Sequence, residues 1–366
     1  MSEHDFMPLD GWDHLELWVG NAKQAAYFYE RAFGFTRVAY GGPETGIRDR
    51  ASYVLEQGEI RMVLTSGLGS DSEIVRFVSR HGDAARDVAL AVPDAGAAHR
   101  EAVARGAQSL AEPHVLEDDH GRVELATIAT YGENVHTFVD RSGYAGPYLP
   151  GFVSLAANGS PDSGVGLVAI DHVVGNVELG KMDHWVEFYE QVFGMVNIVH
   201  FGDDQIQTEY SALMSKVMAD GAGKIKFPIN EPAEGKRKSQ IDEYLEFSEG
   251  PGVQHIALQT QDVVGTVEAL KQRGIAFLDT PETYYDDVQG RVGEITESYD
   301  DLRRLRILAD RDDDGYLLQI FTKTAQDRPT LFFEVIERHG ATTFGEGNFK
   351  ALFESIEREQ ALRGNL

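Results

Sequence analysis

The chain has 366 residues, of which 42% are hydrophobic, and it carries a formal net charge of -27 at pH 7. This length predicts two domains, while the negative charge opposes binding to a nucleic-acid backbone or to an anionic membrane. Because the sequence contains no cysteine, disulfides, thiol nucleophiles and iron–sulfur or zinc–thiolate sites are excluded. We therefore expect small molecules as partners, and any metal must be held by nitrogen and oxygen atoms.

The amino terminus gives no sign of a targeting segment. Residues 1–10 carry acidic side chains and no apolar run, unlike a secretory signal peptide. The sequence also lacks a stretch of about 18 apolar residues, which a membrane-spanning helix would need. These features predict a cytoplasmic protein with no membrane span.

An internal repeat of about 160 residues organises the chain. Trp-Asp-His-Leu and the helix that follows it (residues 12–34) recur as Ile-Asp-His-Val and a helix (residues 170–194). A second strand and helix (residues 87–106) recur at residues 255–274. All four helices stop at a glycine, which is typical of a left-handed C-terminal cap. The two halves are therefore expected to have the same architecture.

Each half reads as a strand, a helix and several strands, twice in succession. We therefore predict an α+β fold in which each half pairs two βαβββ units. Gly, Pro, Asn and Ser are frequent at residues 143–166, as in a linker, so the predicted domains are residues 1–150 and 151–366. Additional strands of the second half are expected at residues 208–215, 224–230 and 315–323.

The apolar strand predicted at residues 330–339 carries a carboxylate at its centre. Side chains on a strand alternate between two faces, so Glu334 shares a face with Phe332 and Ile336. A carboxylate desolvated by such neighbours costs several kcal/mol unless a cation or hydrogen bonds compensate it. Either this is an edge strand with Glu334 in water, or a positive partner lies nearby.

Two histidines in equivalent strands of the repeat can supply that partner. His172 lies in the first strand of the second half, and His255 lies in the matching strand of the next unit. Two imidazoles and one carboxylate form a facial triad typical of non-haem Fe(II) oxygenases, although Mn, Ni and Zn accept similar ligands. We predict a metal site of His172, His255 and Glu334. We assign the following histidines to the surface or the core: His81, His99, His114, His120, His136, His184 and His200.

The first half contains the repeat without this ligand set. His14 corresponds to His172, but Asp87 stands in the place of His255 and Thr137 in the place of Glu334. We therefore predict that the N-terminal domain holds no metal and acts as a scaffold.

Motifs in the second half carry a family resemblance. They are Phe-Pro-Ile-Asn-Glu-Pro (227–232), Gly-Val-Gln-His-Ile-Ala (252–257), Tyr-Leu-Leu-Gln-Ile-Phe-Thr (316–322), Phe-Glu-Val-Ile-Glu-Arg-His-Gly (333–340) and Phe-Gly-Glu-Gly-Asn-Phe (344–349). With these motifs the chain resembles, over almost its full length, the bacterial type of the 4-hydroxyphenylpyruvate dioxygenase family. The resemblance implies two tandem vicinal-oxygen-chelate domains, of the glyoxalase and bleomycin-resistance type, each forming an open barrel.

The resemblance also implies a cofactor and a pocket. Fe(II) would be bound by the three predicted metal ligands. Catalytic positions would be Ser211, Asn230, Gln240, Gln254, Gln319, Phe321 and Phe349. Substrate-binding positions would be Pro228, Phe332, Phe344, Asn348 and Phe353. Strand alternation independently groups Pro228 with Asn230, Gln319 with Phe321, and Phe332 with Glu334. Gln254 would need a β-bulge or strand curvature to reach the face of His255.

The implied reaction converts 4-hydroxyphenylpyruvate and dioxygen to homogentisate and carbon dioxide, a step of tyrosine catabolism. No separate 2-oxoglutarate is needed, because the substrate carries its own 2-oxo acid. We expect Gln240, Ser211 and Asn230 at the phenol end and Phe321 with Phe349 beside the ring. A homo-oligomer, either a dimer or a tetramer, is also expected.

Three alternatives remain open. A 4-hydroxymandelate synthase takes the same substrate but hydroxylates the benzylic carbon. The resemblance implies a smaller aliphatic group at the Phe321 position of such enzymes, so the phenylalanine favours homogentisate. An extradiol catechol dioxygenase has a similar fold and ligand set, but the Pro-Ile-Asn-Glu-Pro and Gln-Ile-Phe motifs favour the oxo-acid enzyme. A non-catalytic ligand-sequestering protein would need no metal, so the intact triad argues against it.

A final helix is predicted at residues 348–362, with Phe349 and Phe353 on one apolar face. It follows a glycine-rich segment at residues 340–347. A hinge beside such a helix is a common arrangement for gating water. We therefore predict that the C-terminal helix is a lid over the metal site.

Overall fold

The structure, a computed structural model, describes residues 6–155, 164–201, 212–233 and 238–365. Within these ranges the chain forms two curled β-sheets with helices packed against them. No helix in the described ranges is both long enough and apolar enough to cross a membrane.

The described residues place nine strands in the first sheet and eight in the second. The first sheet contains β1 (Gly11–Trp18), β2 (Thr36–Gly41), β3 (Arg50–Gln57), β4 (Ile60–Gly67), β5 (Ala84–Ala91), β6 (Ser109–Asp118), β7 (Gly121–Ala129), β8 (Val135–Asp140) and β9 (Val153–Ser154). The second contains β10 (Leu167–Asn176), β11 (Val196–Phe201), β12 (Ala212–Ala219), β13 (Lys226–Ala233), β14 (Gly252–Thr260), β15 (Leu308–Arg311), β16 (Tyr316–Phe321) and β17 (Phe332–His339).

The α-helices lie between these strands and at the end of the chain. They are α1 (Ala22–Ala32), α2 (Glu73–His81), α3 (Ala95–Ala104), α4 (Met182–Phe193), α5 (Gln240–Phe247), α6 (Val263–Gln272), α7 (Val288–Val292), α8 (Tyr299–Leu305) and α9 (Phe349–Leu362). Short 3-10 turns occur at Pro43–Thr45, Glu282–Asp286 and Glu346–Asn348. The predicted glycine caps are present after α1 and α4, where Gly34 and Gly194 have φ angles of 78° and 71°, a region that favours glycine.

The two sheets share one strand order. The first runs β6-β7-β8-β5-β1-β4-β3-β2-β9, and the second runs β15-β16-β17-β14-β10-β13-β12-β11. In each half the central strand pairs in parallel on one side and antiparallel on the other: β1 with β4 and β5, and β10 with β13 and β14. The predicted α+β fold of paired βαβββ units is therefore confirmed in both halves.

Some strand ends differ from the prediction. Of the strand expected at residues 208–215, residues 208–211 lie outside the described residues. The described strand continues past Ser215 to Ala219, where antiparallel pairing with β13 places Ala219 opposite Lys226. The domain limits at residues 1–150 and 151–366 stay a prediction. Beyond residue 150, β9 still pairs with β2 of the first sheet.

The hydrophobic core is continuous between the two halves. On α1, Phe33 lies 5.0 Å from Phe333 of β17, measured between ring centroids. On α4, the Tyr189 hydroxyl lies 2.8 Å from Nε2 of His136 on β8. Because side chains alternate along β17, anchoring Phe333 in this shared core directs Phe332 and Glu334 to the opposite, inner face of the second sheet.

Candidate metal centre and active site

Three neighbouring strands bring the predicted metal ligands together. β14 lies between β10 and β17, and its Ala257 is opposite both His172 and Glu334. Nε2 of His172 lies 3.1 Å, and Nε2 of His255 lies 3.5 Å, from Oε2 of Glu334. All three side chains are buried, and their donor atoms are close enough to share one metal ion. Glu334 is therefore not an edge-strand residue in water.

Each ligand histidine follows a β-bulge. Pairing between β10 and β14 skips Asp171 on one strand and Gln254 on the other. Each of these residues can therefore turn toward the imidazole of the histidine that follows it. Oδ1 of Asp171 lies 2.7 Å from Nδ1 of His172, and Oε1 of Gln254 lies 3.0 Å from Nδ1 of His255. An acceptor at Nδ1 makes that nitrogen the donor and leaves Nε2 for a metal. Of the two ways in which Gln254 could reach this face, a bulge or strand curvature, the strand pairing shows a bulge.

Burial and charge act in opposite directions on these groups. Burial raises the pKa of Glu334, but the two neighbouring imidazoles outweigh it and hold the pKa at about 2. Burial lowers the pKa of His172, but the carboxylates of Glu334 and Asp171 raise it above its ordinary value. For His255, burial outweighs Glu334 and lowers the pKa.

The donor set fits a divalent cation. Oε1 of Glu334 is buried and has no hydrogen-bond partner among the described residues. An ion about 2.1 Å from each donor, the usual distance for imidazole and carboxylate, would hold neighbouring donors about 3 Å apart. The observed separations of 3.1 and 3.5 Å agree with that arrangement. Nitrogen and oxygen donors of this kind suit Fe(II) and several other divalent metals.

The three predicted ligands open onto a mainly apolar cavity. Phe332 stacks on His255 with 4.9 Å between ring centroids, and Phe344 meets His172 edge-on at 5.0 Å. Phe321 meets His255 edge-on at 5.8 Å. The aromatic lining, with a few convergent polar groups, is typical of a small-molecule site.

Most of the predicted pocket residues line this cavity. They are Pro228, Asn230, Gln240, Gln254, Gln319, Phe321, Phe332, Phe344, Phe349 and Phe353. Asn348 is not among the lining residues. It is fully buried, and its Oδ1 accepts a 2.5 Å hydrogen bond from the hydroxyl of Tyr284. Ser211 lies outside the described residues.

Five further residues line the cavity without having been predicted from the sequence. They are Val174, Leu213, Ser215, Val217 and Leu352. Strand alternation was the available signal for four of them. Val174 follows His172 by two positions on β10, and the other three share one face of β12.

The histidines assigned to the surface or the core stay away from this site. Among the described residues, none of the seven lines the cavity. His136 is fully buried, with Nδ1 2.8 Å from the carbonyl oxygen of Val88 and Nε2 2.8 Å from the hydroxyl of Tyr189. Burial lowers its pKa to about 4, so it serves as a neutral core residue.

Comparison with known proteins places the chain in a family. The model for "Hydroxyphenylpyruvate dioxygenase, HPPD, N-terminal" matches residues 4–149, and that for "Glyoxalase/Bleomycin resistance protein/Dioxygenase superfamily" matches residues 169–320. A 4-hydroxyphenylpyruvate dioxygenase from Dictyostelium discoideum is 49% identical, over 98% of this chain and 100% of that protein. One from Aspergillus fumigatus is 47% identical, over 97% and 94% of the two proteins. The chain belongs to the 4-hydroxyphenylpyruvate dioxygenase family.

A solved structure agrees with this membership of the 4-hydroxyphenylpyruvate dioxygenase family. A variant of 4-hydroxymandelate synthase from Streptomyces coelicolor has a TM-score of 0.88 and 37% identity, over 97% of this chain and 100% of that one. The fold of two tandem vicinal-oxygen-chelate domains is thereby confirmed. The two curated relatives named above are eukaryotic, so the bacterial type stays a prediction.

In the first half, the side chains that correspond to the predicted metal ligands are engaged in hydrogen bonds within the protein. His14 is opposite Ala89, as His172 is opposite Ala257, so the repeat holds at the level of register. The hydroxyl of Tyr148 lies 3.1 Å from Nε2 of His14. The Thr137 hydroxyl and backbone N–H both donate to the carboxylate of Asp87. The scaffold role of the first half stays a prediction, which these contacts support.

A second group of possible metal ligands lies on the other face of β17. Nε2 of His339 is 2.9 Å from Oε1 of Glu337 and 3.1 Å from Oε1 of Glu297. The other oxygen of Glu337 accepts from the backbone N–H of Val263 at the start of α6. Strand alternation directs Glu337 and His339 away from the cavity, so this group is separate from the predicted centre.

The C-terminal helix covers the cavity. Phe349, Leu352 and Phe353 of α9 form part of its wall. Ion pairs help to hold the helix to the rest of the second half. The Lys323 ammonium lies 2.7 Å from Glu359. Arg363 forms two hydrogen bonds, of 2.6 and 3.0 Å, to the buried carboxylate of Glu243. The described structure is therefore one in which the helix is closed.

Proposed function

We propose that this protein converts 4-hydroxyphenylpyruvate and dioxygen to homogentisate and carbon dioxide, with Fe(II) held by His172, His255 and Glu334. The observation that carries the proposal is a buried group of two imidazoles and one carboxylate at an apolar cavity, in a chain of this dioxygenase family. Three protein ligands leave coordination positions for a bidentate substrate and for dioxygen.

The protein supplies a fixed charge and fixed ligand directions. The chemistry supplied by bound Fe(II) would be chelation of the 2-oxo acid and reduction of dioxygen. One carboxylate and two neutral imidazoles leave one positive charge with a divalent ion, which favours an anionic oxo acid. Asp171 and Gln254 hold the two imidazoles with Nε2 directed at the centre.

The cavity wall positions the aromatic ring of the substrate. Phe321 and Phe349 provide flat apolar surfaces for the ring, and Gln240 and Asn230 provide hydrogen-bonding groups for the phenol. Ser211 is proposed for the phenol end as well, from the family resemblance. With α9 over the cavity, water is kept from the reacting centre. The protein thus contributes by holding the ring, excluding water and orienting the phenol.

Oxygen uptake tests this proposal. Protein loaded anaerobically with Fe(II) is mixed with 4-hydroxyphenylpyruvate and oxygen, and the consumption of dioxygen and the release of carbon dioxide are followed. We expect equimolar consumption and release by the wild type. Glu334→Ala should abolish turnover, because it removes the anionic ligand. No substrate-dependent uptake by the iron-loaded wild type would refute the proposal.

A 4-hydroxymandelate synthase is the second candidate, since the similar solved structure is a variant of such an enzyme. The two reactions differ in whether the ring or the benzylic carbon is hydroxylated. Phe321 occupies space directly beside His255, so it restricts how the ring lies at the metal. This bulk favours the homogentisate reaction.

Two further properties are proposed on the sequence and the family resemblance. We place the enzyme in the cytoplasm and expect a homo-oligomer, either a dimer or a tetramer. Sedimentation of the purified protein would measure the oligomeric state.

A further inference from the structure

An arginine and an aspartate stand behind one of the metal-binding imidazoles. Oδ1 of Asp171 accepts from Nδ1 of His172 at 2.7 Å. Arg338 grips the same carboxylate with both sides of its guanidinium, at 2.7 Å from Nε to Oδ2 and 2.9 Å from Nη2 to Oδ1. Asp171 is buried, so its position is fixed by a charge-assisted, two-point contact. Arg338, Asp171 and His172 thus form a chain of hydrogen bonds.

Arg338 also contacts the segment that precedes α9. Nη1 of Arg338 donates to the backbone carbonyl oxygen of Thr343 at 2.6 Å and to that of Ala341 at 3.2 Å. Both residues precede α9. The guanidinium therefore joins β10, β17 and the segment that precedes α9.

The other imidazole has a different support. Nδ1 of His255 meets the neutral carboxamide of Gln254, which also lines the cavity. A carboxylate behind a ligand imidazole raises the basicity of the metal-binding nitrogen more than a neutral acceptor does. His172 is therefore the imidazole whose orientation and donor strength depend on a buried charge.

The first half contains the same arrangement without the triad. Asp13 occupies a bulge before His14 and lies 2.6 Å from its Nδ1. Arg141 donates to both oxygens of Asp13 at 2.6 Å and to the carbonyl oxygen of Tyr148 at 2.6 Å. On the far side of His14, however, Nε2 meets the Tyr148 hydroxyl. The chain of arginine, aspartate and histidine is thus a structural feature of both halves. Only in the second half is its histidine a predicted metal ligand.

We propose that Asp171, held by Arg338, is a positioning residue for the metal. It sets the tautomer, orientation and donor strength of His172 and so determines part of the metal affinity. This inference rests on the proposed metal site. It goes beyond the ligand set, because neither Asp171 nor Arg338 belongs to the predicted ligands or lines the cavity.

The repeat provides a matched pair of variants for the test. Asp171→Asn and Asp13→Asn each remove one negative charge from equivalent bulges of the two halves. In both halves the aspartate lies between an imidazole and an arginine. Metal-free protein is titrated with Co(II), whose visible absorption reports both binding and ligand geometry. The free energy of unfolding of each metal-free variant is measured in urea, so that a structural effect is seen separately.

Asp171→Asn should weaken Co(II) binding by about 10- to 100-fold, the usual range for a residue that supports a metal ligand, and should change the absorption spectrum. Asp13→Asn should leave both unchanged while losing a similar free energy of unfolding. Unchanged binding in Asp171→Asn, or an equal loss in Asp13→Asn, would overturn the inference. If the aspartate variants do not fold, Arg338→Gln and Arg141→Gln give the same comparison. A wild type that binds no Co(II) would instead contradict the metal site itself.

Discussion

Two buried carboxylates in this protein have opposite pKa shifts. Burial raises the pKa of Glu334, but the imidazoles of His172 and His255 outweigh it and hold the value at about 2. Burial also raises the pKa of Asp87, and neither His14 nor the hydrogen bonds from Thr137 compensate it, so the value is about 6. One carboxylate is kept ionised at the predicted metal site. The other is costly to ionise in the folded protein.

Asp87→Asn should therefore stabilise the protein near neutral pH. With a folded pKa of about 6 and an unfolded pKa of about 3.9, the aspartate binds its proton more tightly in the folded state. Its contribution to the free energy of unfolding then falls as the pH rises from about 4 to about 6. The substitution should therefore change the free energy of unfolding more favourably at pH 7 than at pH 4. The difference between the two changes should be about 1 to 3 kcal/mol. Urea unfolding at the two pH values measures this difference, and an equal effect at both would contradict it.

Phe321 is expected to select the product. Phe321→Ile should lower total turnover and divert part of the product to 4-hydroxymandelate, since the freed volume beside His255 lets the benzylic carbon come closer to the metal. Chromatography against authentic homogentisate and hydroxymandelate measures the ratio. Ile320→Val on the same strand, a residue of the hydrophobic core, controls for loosened packing and should leave the ratio unchanged. An unchanged ratio in Phe321→Ile would mean that this ring does not select the reaction.

At the scale of elements, strand alternation explains much of the site. The pairs Pro228 and Asn230, Gln319 and Phe321, and Phe332 and Glu334 were each predicted to share a face, and all six line the cavity. The sequence could not place the bulge at Asp171 or the C-terminal end of β12, because both are set by pairing with neighbouring strands. Val217 was missed for this reason. The expected strand ended at Ser215, and the observed one continues to Ala219.

The lid prediction belongs to α9. Removing residues 344–366 should leave the first half folded but abolish product formation or uncouple it from oxygen uptake, because water then reaches the centre. Far-UV circular dichroism and the ratio of product to consumed oxygen are the measurements. Arg363→Gln keeps the aromatic residues of α9 but weakens its ion pair with Glu243, so it should uncouple only in part. Normal coupling in the truncated protein would exclude a lid.

The whole molecule is a duplication in which one half carries the predicted metal ligands. The repeat in the sequence was sufficient to predict two halves of the same architecture, the triad and its altered counterpart in the first half. It did not predict how closely the halves pack. Contacts such as Phe33 with Phe333 join residues far apart in sequence, and no local pattern records them. The first half is thus part of the second sheet's support.

Metal stoichiometry tests this division of roles. We expect one equivalent of iron per chain in the wild type and in His14→Ala, and sharply weakened binding in Glu334→Ala. Elemental analysis after anaerobic loading and gel filtration gives the number. A second equivalent, or iron loss in the His14 variant, would contradict a single centre. His339→Ala would show whether a second equivalent comes from the group on the other face of β17.

The identity of the product tests the central claim most directly. The wild-type enzyme, loaded with Fe(II) and given 4-hydroxyphenylpyruvate under isotopically labelled dioxygen, is analysed by chromatography and mass spectrometry. We predict homogentisate as the main product, with one labelled oxygen in its carboxylate and one in the new ring hydroxyl. Hydroxymandelate as the main product, or homogentisate without label, would contradict this account.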